Sequence, residues 1–162
     1  MKQFTKLDGI NKNSLYKPFG RPRIVMVTER TILIAEPTET LSEELRPFLS
    51  ETDLNLIQTR TVKETLMKLQ DMSVDVLLLN SCLLEEDCGF ISIIRGIAED
   101  MRIIICAENN TPEFESNARQ QRIFYYHIKS FGTQDLEMAI SNAINYSPHH
   151  TGGSSHATSR ED

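Results

Sequence analysis

Apolar residues fall along this chain in two alternating rhythms. Short apolar runs of strand length alternate with stretches where apolar residues recur every three or four positions, the spacing of one helix face. Thr31 to Ala35 predicts a buried strand. Leu41, Leu45, Phe48 and Leu49 then predict a helix, which Pro47 should kink or shorten because proline lacks an N–H and crowds the preceding turn. Leu54 to Gln58 predicts a second, weaker strand, and Val62, Thr65, Leu66 and Leu69 mark a second helix face. Val74 to Leu79 predicts a third strand, apolar almost throughout, as a parallel strand covered on both faces should be. Phe90, Ile93, Ile94 and Ile97 form a third helical stripe, and Ile103 to Cys106 a fourth strand.

Thr111 and Pro112 read as the N-cap and first position of a fourth helix running from Glu113 to Gln121. Its apolar face is little more than Phe114 and Ala118, so it is expected to be the most loosely held element. Ile123 to Ile128 predicts a fifth strand at an edge of the sheet, rich in aromatics. Thr133 opens a last helix whose buried face is Leu136, Ala139, Ile140, Ala143 and Ile144.

Strands alternating with helices predict an α/β fold: a five-stranded parallel sheet in a three-layer α/β/α sandwich. Right-handed crossovers leave few strand orders, of which the flavodoxin-like 2-1-3-4-5 is the one expected. Ligands of such sheets bind at the carboxyl ends of the strands. Glu36, Asn80, Cys106 and Lys129 all stand at such ends.

The flanks differ in character. Residues 1–30 read as a flexible basic arm, apart from the β-like run Ile24 to Val27, whose role is unassigned. Residues 31–146 form the expected domain. Residues 147–162, with Pro148, Gly152 and Gly153, read as a disordered tail. His149, His150 and His156 fall there, and a metal site needs fixed ligands, so no metal or other cofactor is expected.

The length of 162 residues suits one domain with a sizeable core. Residues 1–30 hold seven Lys/Arg and two Asp/Glu, a balance of +5 against −6 for the whole, which leaves −11 on the remainder. An acidic body argues against broad nucleic-acid binding. Gly20-Arg21-Pro22-Arg23 is similar to the core of an AT-hook, which keeps a DNA-associated role for the arm as an alternative. No apolar run approaches the roughly 18 residues that span a bilayer, and the N-terminus lacks a signal-peptide core. A cytoplasmic location is expected, with Cys82, Cys88 and Cys106 as free thiols.

From about Thr31 to Ile144 these features resemble the receiver domain of bacterial two-component response regulators. In that family an acidic pair after strand one and an aspartate after strand three hold Mg²⁺, and the aspartate accepts a phosphoryl group. A Ser or Thr after strand four and a Lys after strand five contact that group. Here Glu36 keeps one acid of the pair and Pro37 replaces the other. Asn80 stands in place of the phosphoacceptor, and Cys106 in place of the Ser/Thr, followed by Ala107-Glu108 as in the family. Lys129 opens Lys129-Ser130-Phe131, with Ser130 where the family has proline. Gly89 resembles the glycine that opens the third helix.

An amide is a poor nucleophile, one carboxylate is a meagre magnesium site, and a thiol is a weak donor. The resemblance therefore implies a degenerate, phosphorylation-independent receiver that acts as a non-enzymatic protein–protein interaction module. It implies a partner surface, or self-association, on the fourth helix, fifth strand and fifth helix, with Phe114, Tyr126, Ser130 and Phe131 as candidates. Tyr126 matches an aromatic that rotates on activation and is expected to be fixed here, as a surface or interface side chain. Lys129 is expected near both Glu36 and Asn80, with Glu36 as its counter-charge. Asp75 and Asp87 remain as alternative phosphoacceptors.

Overall fold

The computed structural model describes residues 29–84, 88–109 and 111–146. The basic motif at Gly20–Arg23, the run Ile24 to Val27, Asp87 and the histidines His149, His150 and His156 lie outside the described residues. The elements run β1 (Arg30–Ala35), α1 (Thr40–Ser50), β2 (Leu54–Thr59), α2 (Val62–Asp71), β3 (Val76–Asn80), α3 (Gly89–Ile97), β4 (Arg102–Ala107), α4 (Pro112–Gln120), β5 (Tyr125–Ile128) and α5 (Gln134–Asn145). Short 3-10 turns follow β3 at Ser81–Leu84 and β5 at Lys129–Phe131. The strands form one parallel sheet in the order β2-β1-β3-β4-β5, as the sequence predicts.

Side-chain alternation builds two cores from one sheet. Leu33, Leu77, Leu79, Ile103 and Ile105 point to one face, where they meet Leu69 of α2, Ile91 and Ile94 of α3 and Ala118 of α4. Ile32, Ile34, Val76, Leu78 and Ile104 point to the other, against Leu41, Leu45 and Leu49 of α1 and Leu136, Ala139, Ile140 and Ala143 of α5. Every residue of β3 is buried, which explains its apolar run from Val76 to Leu79. No helix among the described residues is long and apolar enough to cross a membrane.

Several boundaries differ from the sequence reading. Pro47 does not shorten α1, which continues to Ser50. Pro47 and Glu43, whose carbonyl it would have bonded, both lie on the exposed side, so water can replace the lost bond. Strand β3 begins at Val76, with Val74 and Asp75 ahead of it. Strand β5 begins at Tyr125, although the Phe124 N–H already bonds the Ile103 carbonyl at 2.7 Å. Helix α4 ends at Gln120, where Arg122, at φ 58°, turns the chain towards the sheet. Thr111 and Thr133 take the N-cap positions of α4 and α5, but neither side chain caps its helix. Thr133 instead donates to the Glu137 carboxylate at 3.0 Å.

Candidate functional site

The sheet brings the expected residues to one end. Asn80 ends β3 opposite Cys106 of β4, and Cys106 lies opposite His127 of β5, one residue from Ile128 and the turn that carries Lys129. Glu36 follows β1 directly and is wholly buried. Pro37 is exposed and offers no side-chain oxygen.

Glu36 does not pair with Lys129. Its two carboxylate oxygens accept the backbone N–H groups of Leu41 and Ser42, each at 2.9 Å. These are free donors of the first turn of α1, at the positive end of the helix dipole. A carboxylate satisfied there by two charge-assisted bonds has little to gain from a more distant ammonium. Lys129 turns to Glu108 instead, its Nζ 2.5 Å from Oε1. Its side chain is only 10 % exposed, whereas Glu108 is 56 % exposed, so the pair sits at the rim of the site.

Asn80, also buried, spends its side-chain carbonyl on the Cys82 N–H at 3.0 Å. This Asx-type contact fastens the 3-10 turn that follows β3. The expected proximity of Asn80 to Lys129 thus yields no bond between them. Cys106 is fully buried among Ile34, Leu78 and Ile104, as a small hydrophobe. Burial pushes its thiol up to about 12; Lys129 draws it down and Glu36 pushes it further up. Both charges therefore act on the Cys106 sulfur, although they do not bond one another.

The magnesium ion that the resemblance implies does not fit these residues. Both Glu36 oxygens hold α1, Pro37 supplies none, and the Asn80 carbonyl is engaged. Among the described residues, no group of three or more His, Cys, Asp and Glu side chains is placed to hold a metal ion. Asp75 lies ahead of β3, at the far end of the strand from Asn80. Its carboxylate accepts from Arg30 at 2.7 Å and from the Thr31 N–H at 2.8 Å.

Tyr126 corrects a second expectation. It is buried, 5 % exposed, on the face that holds α4. Its ring lies 6.3 Å from that of Phe114, with the Arg119 guanidinium 5.8 Å from its centroid. Its hydroxyl is buried and makes no hydrogen bond among the described residues. Burial raises its pKa first, then the charges of Glu115 and Cys88, against Arg119. Of the other surface candidates, Phe114 is half-buried, Ser130 is exposed and Phe131 is 74 % exposed.

Sequence reasoning missed two participants. Glu108, whose place after Ala107 signals no role of its own, supplies the counter-charge of Lys129. Cys82 is an exposed thiol on a cleft of about 580 Å³ between the turn after β3 and α4, which Glu108 and Phe114 also line.

No protein-family model matches the sequence, and no curated protein matches it. Solved structures do. A response regulator from Thermotoga maritima superposes with a TM-score of 0.66 at 16 % identity, over 73 % of this chain and 99 % of that one. A signal receiver domain of a histidine kinase from Clostridium thermocellum gives 0.64 at 18 % identity, over 72 % and 98 %. HP1043, an orphan response regulator of H. pylori, gives 0.63 at 17 % identity, over 71 % and 96 %. At such identities the likeness establishes the fold: this chain has the fold of response-regulator receiver domains.

Proposed function

We propose that the chain is a pseudo-receiver, a signalling module of the cytoplasm that works through protein contacts and takes no phosphoryl group on its central strand. The observation that carries this reading is Asn80. An amide stands where the fold puts the nucleophile, and its carbonyl is committed to the Cys82 N–H. The commitment of Glu36 to α1 and of Lys129 to Glu108 supports it further. Asp75 is a poor alternative acceptor, because Arg30 and Thr31 hold it at the wrong end of the strand.

The partner surface in this reading is the α4–β5–α5 side, without Tyr126. Phe131 and Met138, 74 % and 59 % exposed, are its anchors, because large apolar side chains gain most from being covered by a partner. Incubation with a small phosphodonor and Mg²⁺, followed by intact-mass measurement, tests the proposal. No mass gain is expected, and a near-stoichiometric phosphoryl adduct on the folded protein would overturn it.

A further inference from the structure

Three arginines converge at the end of the sheet opposite Asn80. Arg95 of α3, Arg102 at the start of β4 and Arg122 after α4 line one cavity of about 760 Å³. Phe124 and Tyr146 form an aromatic wall beside them. None of the three arginines makes an ion pair with a carboxylate among the described residues.

The cluster is built in place. Arg95 donates to the carbonyls of Glu99 at 3.1 Å, Met101 at 2.6 Å and Arg122 at 2.5 Å, tying the loops before β4 and β5 together. Arg122 holds its carbonyl there from a left-handed backbone, φ 58°, which is costly for a residue with a side chain. The Arg102 guanidinium lies 4.2 Å from the centre of the half-exposed Tyr146 ring. Stacking uses the face of the guanidinium; one N–H at its edge donates to the Asp100 carbonyl, which leaves the others for a ligand. The Arg95 pKa is lowered by burial, then by the charges of Arg102 and Arg122, so the positive charges oppose one another. An anion would relieve that repulsion.

We infer that this cavity binds a small phosphate-bearing anion, inorganic or nucleoside phosphate, through the remaining N–H groups of Arg102 and those of Arg122 above the Arg95 clamp. A small anion fits better than a nucleic acid, because the remainder of the chain beyond residue 30 carries −11 and would repel a long polyanion. Glu99 and Asp100 also line the cavity and oppose any anion, so they limit its affinity.

Calorimetric titration of the full chain with pyrophosphate, ATP, adenosine and a short DNA duplex tests this inference. Saturable binding of pyrophosphate or ATP is expected, weakened about tenfold or more by the double substitution Arg102→Ala, Arg122→Ala. Glu99→Gln should tighten it. ATP binding more tightly than pyrophosphate identifies a nucleoside phosphate; equal affinities identify phosphate alone. The inference fails if no phosphate saturates the protein by about 10 mM, if adenosine binds as well as ATP, if the duplex binds more tightly than either, or if the double variant binds undiminished. The outcome is separate from the reading of Asn80, because no residue is shared between the two sites.

Discussion

Lys129 is balanced by Glu108 and not by Glu36, although the charges of both Lys129 and Glu36 act on Cys106. Each of the two charged side chains is held by its own local partner, Glu36 by the first turn of α1 and Lys129 by Glu108. A double-mutant cycle reads this directly. Lys129→Met with Glu108→Gln should show a coupling of up to about 1 kcal/mol, held down by the exposure of Glu108. Lys129→Met with Glu36→Gln should show less. The reverse order in urea denaturation would mean that the Glu36–Lys129 pair forms in solution.

Glu36→Ala should destabilise the fold by about 2 kcal/mol or more, because two buried N–H groups of α1 lose a charged acceptor. Urea midpoints measure the loss. Millimolar Mg²⁺ should leave the melting temperature of the unaltered protein where it is; a saturable rise would show that Glu36 releases the helix to bind metal.

The Tyr126 hydroxyl is buried without a partner, so Tyr126→Phe should be neutral or stabilising, by up to about 1 kcal/mol. Tyr126→Ala should cost about 3–5 kcal/mol, as removal of a core aromatic does. Equal and small effects of both substitutions, measured by chemical denaturation, would place the ring outside the core.

Cys106 sets a pH dependence. Its folded thiol, raised to about 12, holds its proton more tightly than an unfolded thiol near 9.0. The stability it contributes is therefore complete below pH 9.0 and is lost as pH rises from there towards 12. At pH 10 the loss should be about 1 kcal/mol. Tyr126, shifted in the same direction, adds to the decline at higher pH. Cys106→Ala should flatten the slope between pH 7 and 10; an unchanged slope would show that the thiol ionises freely in the folded protein.

Phe131→Ser should change stability by less than about 0.5 kcal/mol, since the ring is mostly in water. The same substitution should weaken capture of the native partner from cell extract by more than about 1 kcal/mol in binding energy. Undiminished capture would move the partner surface elsewhere.

The sheet was legible in the sequence because burial on both faces leaves an unmistakable trace. Val76 to Leu79 admits no polar residue, and α5 repeats its apolar face from Leu136 to Ala143. The position of Asn80 followed from the strand it ends. The hydrogen bonds of the site did not follow, because a carboxylate after a strand can reach either a lysine or a helix terminus, and loop geometry decides. Tyr125, Tyr126 and His127 alternate between two covered faces, so their polarity does not say which ring lies inward. Arg95, Arg102 and Arg122 come from a helix, a strand and a turn far apart in the chain, and nothing in their spacing predicts a common cavity.

The two bonds from Leu41 and Ser42 to Glu36 also tie the site to the stability of α1. If the chain is the proposed pseudo-receiver, an aspartate written at position 80 would supply a nucleophile, but an ion to assist it would still lack ligands. Freeing Glu36 to serve would strip α1 of its first-turn acceptor, and Pro37 would have to change as well. On the proposed reading each such change would cost stability before it supplied any chemistry, so the barrier to phosphoryl transfer would lie in the scaffold and not in one side chain.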